Sequence, residues 1–309
     1  MYLITGANGF VGRTLTTEMA RRELPFRAAS RGPLDGYFPV GEIGARTDWR
    51  AALAEVDAVI HLAARVHVMD RGLAQSDAEF RPVNVDGTLN LMRQAQAAGV
   101  RRLVFLSSIK VNGETTDGRG PFTADETPKP EDAYGRSKLE AERGLLALAA
   151  EGGTEAVIIR PPLVYGPGVG ANFAAMMTWV SRGVPLPLGA VRNTRSLIYA
   201  GNLADLILRA AAHPAVANEV FLASDGQDLS TAELLRGLAQ AMGVPSRLLG
   251  VPTGLLRAGA IALGKEAVAN RLLGSLAVDI GKTRRSLDWT PPYTVAEGLR
   301  ATAAAKRDL

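Results

Sequence analysis

Short apolar runs alternate with amphipathic stretches through the first half of the chain. Residues 2–4 (Tyr-Leu-Ile) predict a strand, residues 11–22 a helix and residues 26–30 a second strand. Residues 58–62 form another apolar strand pattern, and 85–98 a helical one that stops at Gly99. A strand at 103–107, a helix at 134–149 and a strand at 156–160 continue the alternation. Strands joined through helices by short connections predict an α/β protein whose doubly wound parallel sheet is covered on both faces.

After Pro161 the texture changes. Gly and Pro punctuate 161–170 and 183–189. A helix–strand pair at 204–212 and 219–223 is expected to return to the sheet. A helix at 231–242, a strand-like piece at 247–251 and further helices follow. This pattern predicts a smaller second lobe built from two separate segments. No internal repeat or flexible linker is visible.

Composition narrows the chemistry. The chain has 309 residues, 47% hydrophobic and 21% charged, enough for a large core. Cysteine is absent, which excludes disulfides, thiolate metal sites and a cysteine nucleophile. The three histidines, His61, His67 and His213, are not spaced as metal ligands, so no metal site is expected. The formal charge of +4 suits attraction for an anionic small molecule, and equally a soluble arginine-rich surface. The arginines are scattered without a basic run, which argues against nucleic-acid binding. The apolar stretch 255–263 is too short to span a bilayer and is interrupted by Arg257 and Gly259. With a strand pattern at the very start of the sequence, a cytoplasmic protein without membrane insertion is expected.

The first strand runs into Thr5-Gly6-Ala7-Asn8-Gly9-Phe10-Val11-Gly12. Gly6 permits a tight turn, Gly9 lets backbone approach a pyrophosphate, and Gly12 lets the helix pack close to the sheet. The helix start then offers free amides to phosphates. This strand–turn–helix setting is the context that a dinucleotide cradle requires. The second strand ends Ala28-Ala29-Ser30-Arg31, without the carboxylate expected for a ribose 2′-hydroxyl. Arg31, assisted by Arg13, could pair with a 2′-phosphate or be a solvated surface group. NADP(H) is therefore favoured, with NAD(H) the alternative.

Tyr134-Gly135-Arg136-Ser137-Lys138 places a phenol and an ammonium four residues apart on one helix face. A neighbouring cation favours the phenolate, so Tyr134 could serve as general acid or base. Ser107 and Ser108 follow an apolar strand and fall at its C-terminal end, where ligands bind in open α/β sheets. A hydroxyl there can hydrogen-bond a carbonyl oxygen as charge develops. Glycine turn, serine-ended strand and Tyr/Lys helix, in this order, point to a nicotinamide-dependent oxidoreductase.

These motifs resemble the extended short-chain dehydrogenases with a Rossmann-type sheet, within the NAD-dependent epimerase/dehydratase (UDP-glucose 4-epimerase-like) group. The likeness runs over nearly the whole chain. It implies a dinucleotide-binding domain at 1–166 and 197–224, and a nucleotide-sugar lobe at 167–196 and 225–309. By resemblance, Ser108, Tyr134 and Lys138 are catalytic. The cofactor set implied is Gly6, Asn8, Gly9, Phe10, Val11, Gly12, Arg31, Glu42, Ile43, Leu62, Ala63, Ala64, Asn84, Ser107, Tyr134 and Lys138. The segment 160–168 adds Pro161, Leu163 and Val164 beside the nicotinamide. The resemblance places His67, Lys110, Val111, Asn112, Asn172, Leu188 and Arg195 around a UDP-linked sugar. A homodimer paired through the helices at 85–98 and from 134 is also implied.

Departures from the group's pattern sharpen the expectation. Asn112 stands where the group usually has Tyr. Ile109 and Lys110 stand where its dehydratases carry Asp-Glu, so dehydration is not expected. The phrases SSIKVNGE, HLAARVHVM and LPLGAVRNTRS resemble 4-ketoreductases of UDP-4-keto-6-deoxy-N-acetylhexosamines, which form for example UDP-N-acetylquinovosamine. The expected activity is 4-keto-sugar reduction. A UDP-hexose 4-epimerase is the second reading, and a non-catalytic NADP-binding sensor the third.

Overall fold

The computed structural model describes residues 1–66 and 76–307, without the side chains of residues 171, 172, 306 and 307. Seven strands, β1 (Tyr2–Thr5), β2 (Phe26–Ser30), β3 (Phe38–Pro39), β4 (Ala58–His61), β5 (Arg102–Leu106), β6 (Glu155–Arg160) and β9 (Glu219–Leu222), form one sheet. Its order is β3-β2-β1-β4-β5-β6-β9, and every pairing is parallel. The order reverses beside β1, which opens a crevice at the strands' C-terminal ends. The remaining strands, β7 (Leu163–Tyr165) and β8 (Leu197–Tyr199), pair with each other in parallel.

Successive strand residues point to opposite faces, and both faces are buried. Ile4, Ile60, Val104 and Ile159 pack against α1 (Phe10–Arg21), α7 (Ala200–Ala212) and α11 (Gly281–Leu287). Leu3, Val59, Phe105 and Ile158 pack against α2 (Arg50–Leu53), α4 (Thr88–Ala97) and α5 (Ala133–Ala150). Each fully buried aliphatic side chain contributes about 1.5–3 kcal/mol, which is why the strands read as unbroken apolar runs. A third cluster joins α6 (Ala171–Ser181), α8 (Thr231–Met242), α10 (Glu266–Leu273) and α12 (Val295–Arg307) through Phe173, Leu235, Leu273 and Leu299. Two further helices, α3 (Asp77–Arg81) and α9 (Thr253–Ala262), complete the set among the described residues. Local chemistry fixes the helix ends. Ser230 and Glu233 form a capping box at the start of α8, and Gly243 closes it at φ 69°.

The structure departs from the sequence expectation in three places. The helix expected at 85–98 begins earlier: α3 passes through a π-helical turn, Pro82–Gly87, into α4. Pro82 and Gly87 look like breakers, yet the wider turn tolerates both. Residues 247–251 form no strand. Leu248 makes a single parallel bridge to Leu186, where the Leu186 amide bonds the Arg247 carbonyl. The pairing of β7 with β8 has no periodic signature, because each is only three residues long.

Candidate active site

The glycine turn lies at the end of β1, in the crevice. Gly6 adopts φ 69°, and a Cβ there would stand 2.7 Å from the Ala63 amide nitrogen. A Cβ on Gly12 would stand 2.2 Å from the Gly6 carbonyl oxygen, so α1 can approach the turn only with glycine there. No side chain caps the start of α1 at Gly9. Its first amides are left for a ligand, and a Cβ-free cradle at a twelve-residue helix fits a dinucleotide pyrophosphate. Phe10 and Val11 are half-buried in the first turn, and the Asn8 carbonyl accepts from Arg13 at 2.8 Å. Leu62 and Ala63 form the wall against Gly6, and Ala64 follows.

At the sheet's other side, Arg31 and Glu42 are exposed and 3.8 Å apart. Ile43 packs beside Gly87, whose Cβ would meet it at 2.7 Å. No acidic side chain follows β2 until Asp35.

The tyrosine–lysine helix is registered by its first turn. Asp132 caps α5, accepting from the Gly135 amide at 2.6 Å. Lys138 is buried and donates to the Leu106 carbonyl at the end of β5 at 2.8 Å. Its Nζ stands 4.3 Å from the Phe105 ring centroid and 6.0 Å from that of Tyr134. Burial pulls the Lys138 ammonium down to about 7, although the Glu142 carboxylate opposes this. Burial, and secondarily the Asp132 charge, hold the half-buried Tyr134 phenol well above its ordinary value. Tyr134 is therefore protonated at neutral pH, the form that a general acid needs. Ser108 is half-buried, and its oxygen accepts from the Lys110 amide at 3.3 Å.

Polar networks behind these residues were not legible as motifs. Glu142 lies one turn beyond Lys138 on the same face. Its carboxylate accepts from the Ser107 hydroxyl and from Arg160, whose Nη2 is 2.6 Å away. Both charged side chains are buried. Arg160 also donates to the Asn112 amide oxygen at 3.0 Å, and Asn112 donates onward to the Thr123 carbonyl and to Glu126. A second network runs through His61. The Thr5 hydroxyl reaches Nδ1 at 2.6 Å, Nε2 reaches the Thr88 hydroxyl at 2.9 Å, and Thr88 donates to the Asn84 carbonyl. The Asn84 amide, held in the π-helical turn, donates to the Ser137 hydroxyl at 3.0 Å and accepts from the Arg65 amide. The i, i+4, i+8 spacing of Tyr134, Lys138 and Glu142 was the available signal for the first network. The second has none, because Thr5, His61 and Thr88 meet only through tertiary packing.

The structure thus gathers Asn84, Ser107, Ser108, Tyr134 and Lys138 at one edge. Pro161 is buried there, its carbonyl accepting from the Ile109 amide, with Val164 half-buried and Leu163 exposed. Among the residues expected to face a sugar, Lys110 is ion-paired with Asp132 at 2.5 Å and Glu114 at 2.9 Å. Burial would lower its ammonium, but these carboxylates prevail and raise it. Val111 is buried, and the Asn112 side chain is engaged in the arginine network. Leu188 belongs to the third cluster, and Arg195 donates to the carbonyls of Arg271 and Gly274 at 2.9 and 3.0 Å. These two sit with the elements of the third cluster. His67 and the Asn172 side chain lie outside the described residues. No group of three or more metal-ligating side chains occurs among the described residues.

The profile of the NAD dependent epimerase/dehydratase family matches residues 2–223. A Vibrio cholerae protein named UDP-glucose 4-epimerase is 47% identical, covering 98% of this chain and 94% of that protein. Among solved structures, MoeE5 in complex with UDP-glucose and NAD superposes with a TM-score of 0.78 at 25% identity, covering 99% of this chain and 98% of that one. The UDP-N-acetylglucosamine 4-epimerase of Bacillus cereus shares the fold, with a TM-score of 0.75 at 20% identity over 99% and 98% of the two chains.

Proposed function

Since this chain belongs to the NAD-dependent epimerase/dehydratase family, we propose that it acts as an oxidoreductase at C4 of a UDP-linked sugar, with 4-epimerisation as the first reading. The observation that carries the proposal is that Lys138, 6.0 Å from the Tyr134 ring, binds the carbonyl at the end of β5, where Ser108 caps the turn that follows, on the sheet edge that also carries the glycine turn after β1. The relative at 47% identity weighs toward epimerisation over the 4-ketoreductase reading. Reduction of a 4-keto-6-deoxy sugar is the second reading, supported by Arg31 and the missing carboxylate after β2.

In this mechanism Gly6, Gly9 and Gly12 hold the dinucleotide pyrophosphate at the start of α1. Arg31 and Ile43 would flank the adenosine, and Asn84 would order the floor near the nicotinamide. A bound nicotinamide supplies hydride exchange at the sugar C4. Tyr134 moves the proton to or from the C4 oxygen, and Ser108 hydrogen-bonds that oxygen. Lys138, 6.0 Å from the phenol ring, would in its charged form favour the phenolate that takes up the C4 proton. The serine hydroxyl would hydrogen-bond the C4 oxygen while it carries negative charge, and that charge passes to the Tyr134 oxygen when the phenol gives up its proton.

The deciding experiment incubates the purified protein with UDP-glucose or UDP-galactose without added cofactor, and separately with a UDP-4-keto-6-deoxy sugar and NADPH. Interconversion in the first arm supports the epimerase, and NADPH consumption in the second supports the reductase. Tyr134→Phe is expected to lose ~10²–10⁴-fold in kcat. Turnover by that variant at the parent rate would remove Tyr134 from the reaction and sink the proposal.

A further inference from the structure

The geometry points to α9 as a docking surface for an anionic lipid bilayer. Helix α9 turns Leu256 and Ala260 toward the third core cluster. Its opposite face consists of Gly254, Leu255, Ala258, Gly259, Ile261 and Ala262, all exposed and none polar. Leu255 is 66% exposed, Ile261 61%, and Leu263, which follows the helix, 73%. An amphipathic surface helix normally turns polar residues outward. This one turns apolar residues both ways, and no residue of α9 is buried.

Charge identifies the occupant. Between residues 243 and 274 the chain carries Arg247, Arg257, Lys265 and Arg271 against one carboxylate, Glu266. Three of the chain's four net positive charges therefore lie on this segment. Arg257 is paired across to Asp117 at 3.6 Å. Arg247 and Lys265 form no ion pair among the described residues. An apolar helix with lysine and arginine at its margins matches a bilayer interface, where the leucines and isoleucine enter the acyl boundary and the cations meet lipid phosphates. A protein partner of matching affinity would need only the apolar face and would not call for the cationic margin. At ten residues, α9 is about 15 Å long, so it lies on a membrane rather than crossing it, and no helix among the described residues is long and apolar enough to cross.

The test is co-sedimentation of the full chain with phosphatidylglycerol-containing vesicles and with pure phosphatidylcholine vesicles. The parent is expected to bind the former and to be released by salt. The triple variant Leu255→Ser/Ile261→Ser/Leu263→Ser, changed only at exposed positions, should lose binding while retaining its fold by circular dichroism and its activity. Lys265→Glu should weaken binding at least about fivefold, since each cation near the surface contributes about 1 kcal/mol. No binding by the parent would overturn the inference, as would equal binding by the triple variant. Dimerisation that the triple variant abolishes, without vesicle binding, would assign the face to a second copy and would also overturn it.

Discussion

His61 makes the folded chain sensitive to acid in a calculable way. The ring is fully buried between Thr5 and Thr88, stacked on Phe105 at 5.7 Å. Because Thr88 gives its proton to the Asn84 carbonyl, it accepts from Nε2, and Nδ1 accepts from Thr5. Both nitrogens are satisfied by the neutral ring, and protonation would break the bond from Thr5. Burial, reinforced by the nearby Lys138 charge, holds the imidazole down to about 3, against an ordinary value of 6.5. Between those values the unfolded chain binds a proton that the folded chain refuses, so stability falls as pH drops through this window. The slope approaches about 1.4 kcal/mol per pH unit, and at pH ~4.5 the loss is about 2–3 kcal/mol. Against a total of roughly 5–15 kcal/mol, that is a large share. Urea unfolding at pH ~7 and ~4.5 measures it, with His61→Asn as the non-titrating reference. Carboxylates titrate alike in both proteins, so the difference between their losses isolates the imidazole. The variant starts less stable but should lose about 2–3 kcal/mol less on acidification. Equal losses would refute the assignment, as would an imidazole that titrates near 6.5 in the folded protein.

Two further outcomes follow from the packing. Glu142→Ala leaves Arg160 buried beside Asn112 without a counter-charge and should cost about 3–5 kcal/mol in urea unfolding; the double variant Glu142→Leu/Arg160→Met should recover most of it, and a loss no larger than that of the exposed Arg21–Glu18 pair, under about 1 kcal/mol, would contradict the burial argument. Gly12→Ala places a methyl against Gly6 and Ala7 backbone, so thermal melting should show a loss of about 1–3 kcal/mol and nucleotide titration a weakened site; a variant that binds dinucleotide as tightly as the parent would dissociate the cradle from the cofactor.

The sheet was legible because both of its faces are covered. Runs such as Ala58–His61 are apolar at nearly every position, and only a strand between two helical layers requires that. The glycine cradle and the tyrosine–lysine pair were legible because their chemistry needs close sequence spacing. What escaped is organised by contacts between distant residues. Asn112 and Arg160 are 48 positions apart, and Thr5 and His61 are 56 apart. The π-helical turn carrying Asn84 reads locally as an interruption, since Pro82 and Gly87 bracket it. The expected strand at 247–251 has the right hydrophobicity, but it meets only a short stretch of backbone, at Leu186 and Gly189, too little for a ladder. Leu188 and Arg195, expected by resemblance at the UDP-linked sugar, lie in the third cluster and against the Arg271 and Gly274 carbonyls, contacts that no local pattern announces.

One helix fixes the position of Tyr134, the proposed proton donor. Along one face of α5, Tyr134 packs on Phe80 with ring centroids 5.9 Å apart, Lys138 binds the carbonyl at the end of β5, and Glu142 binds the arginine at the end of β6. The charges alternate along that face, so a slide of one turn, about 5.4 Å, would bring the Lys138 ammonium toward the Arg160 guanidinium in a buried setting. It would also strip the Leu106 carbonyl of its donor and carry Glu142 toward the apolar cluster where Leu145 packs on the sheet. Like charges meeting at low dielectric, with hydrogen bonds lost at both ends, make every other register costly. The Glu142–Arg160 pair therefore does more than offset its own desolvation. It holds α5 in the register that keeps Tyr134 on Phe80 and Lys138 on the carbonyl at the end of β5, and the proposed proton transfer, which would tolerate little displacement, would depend on that register.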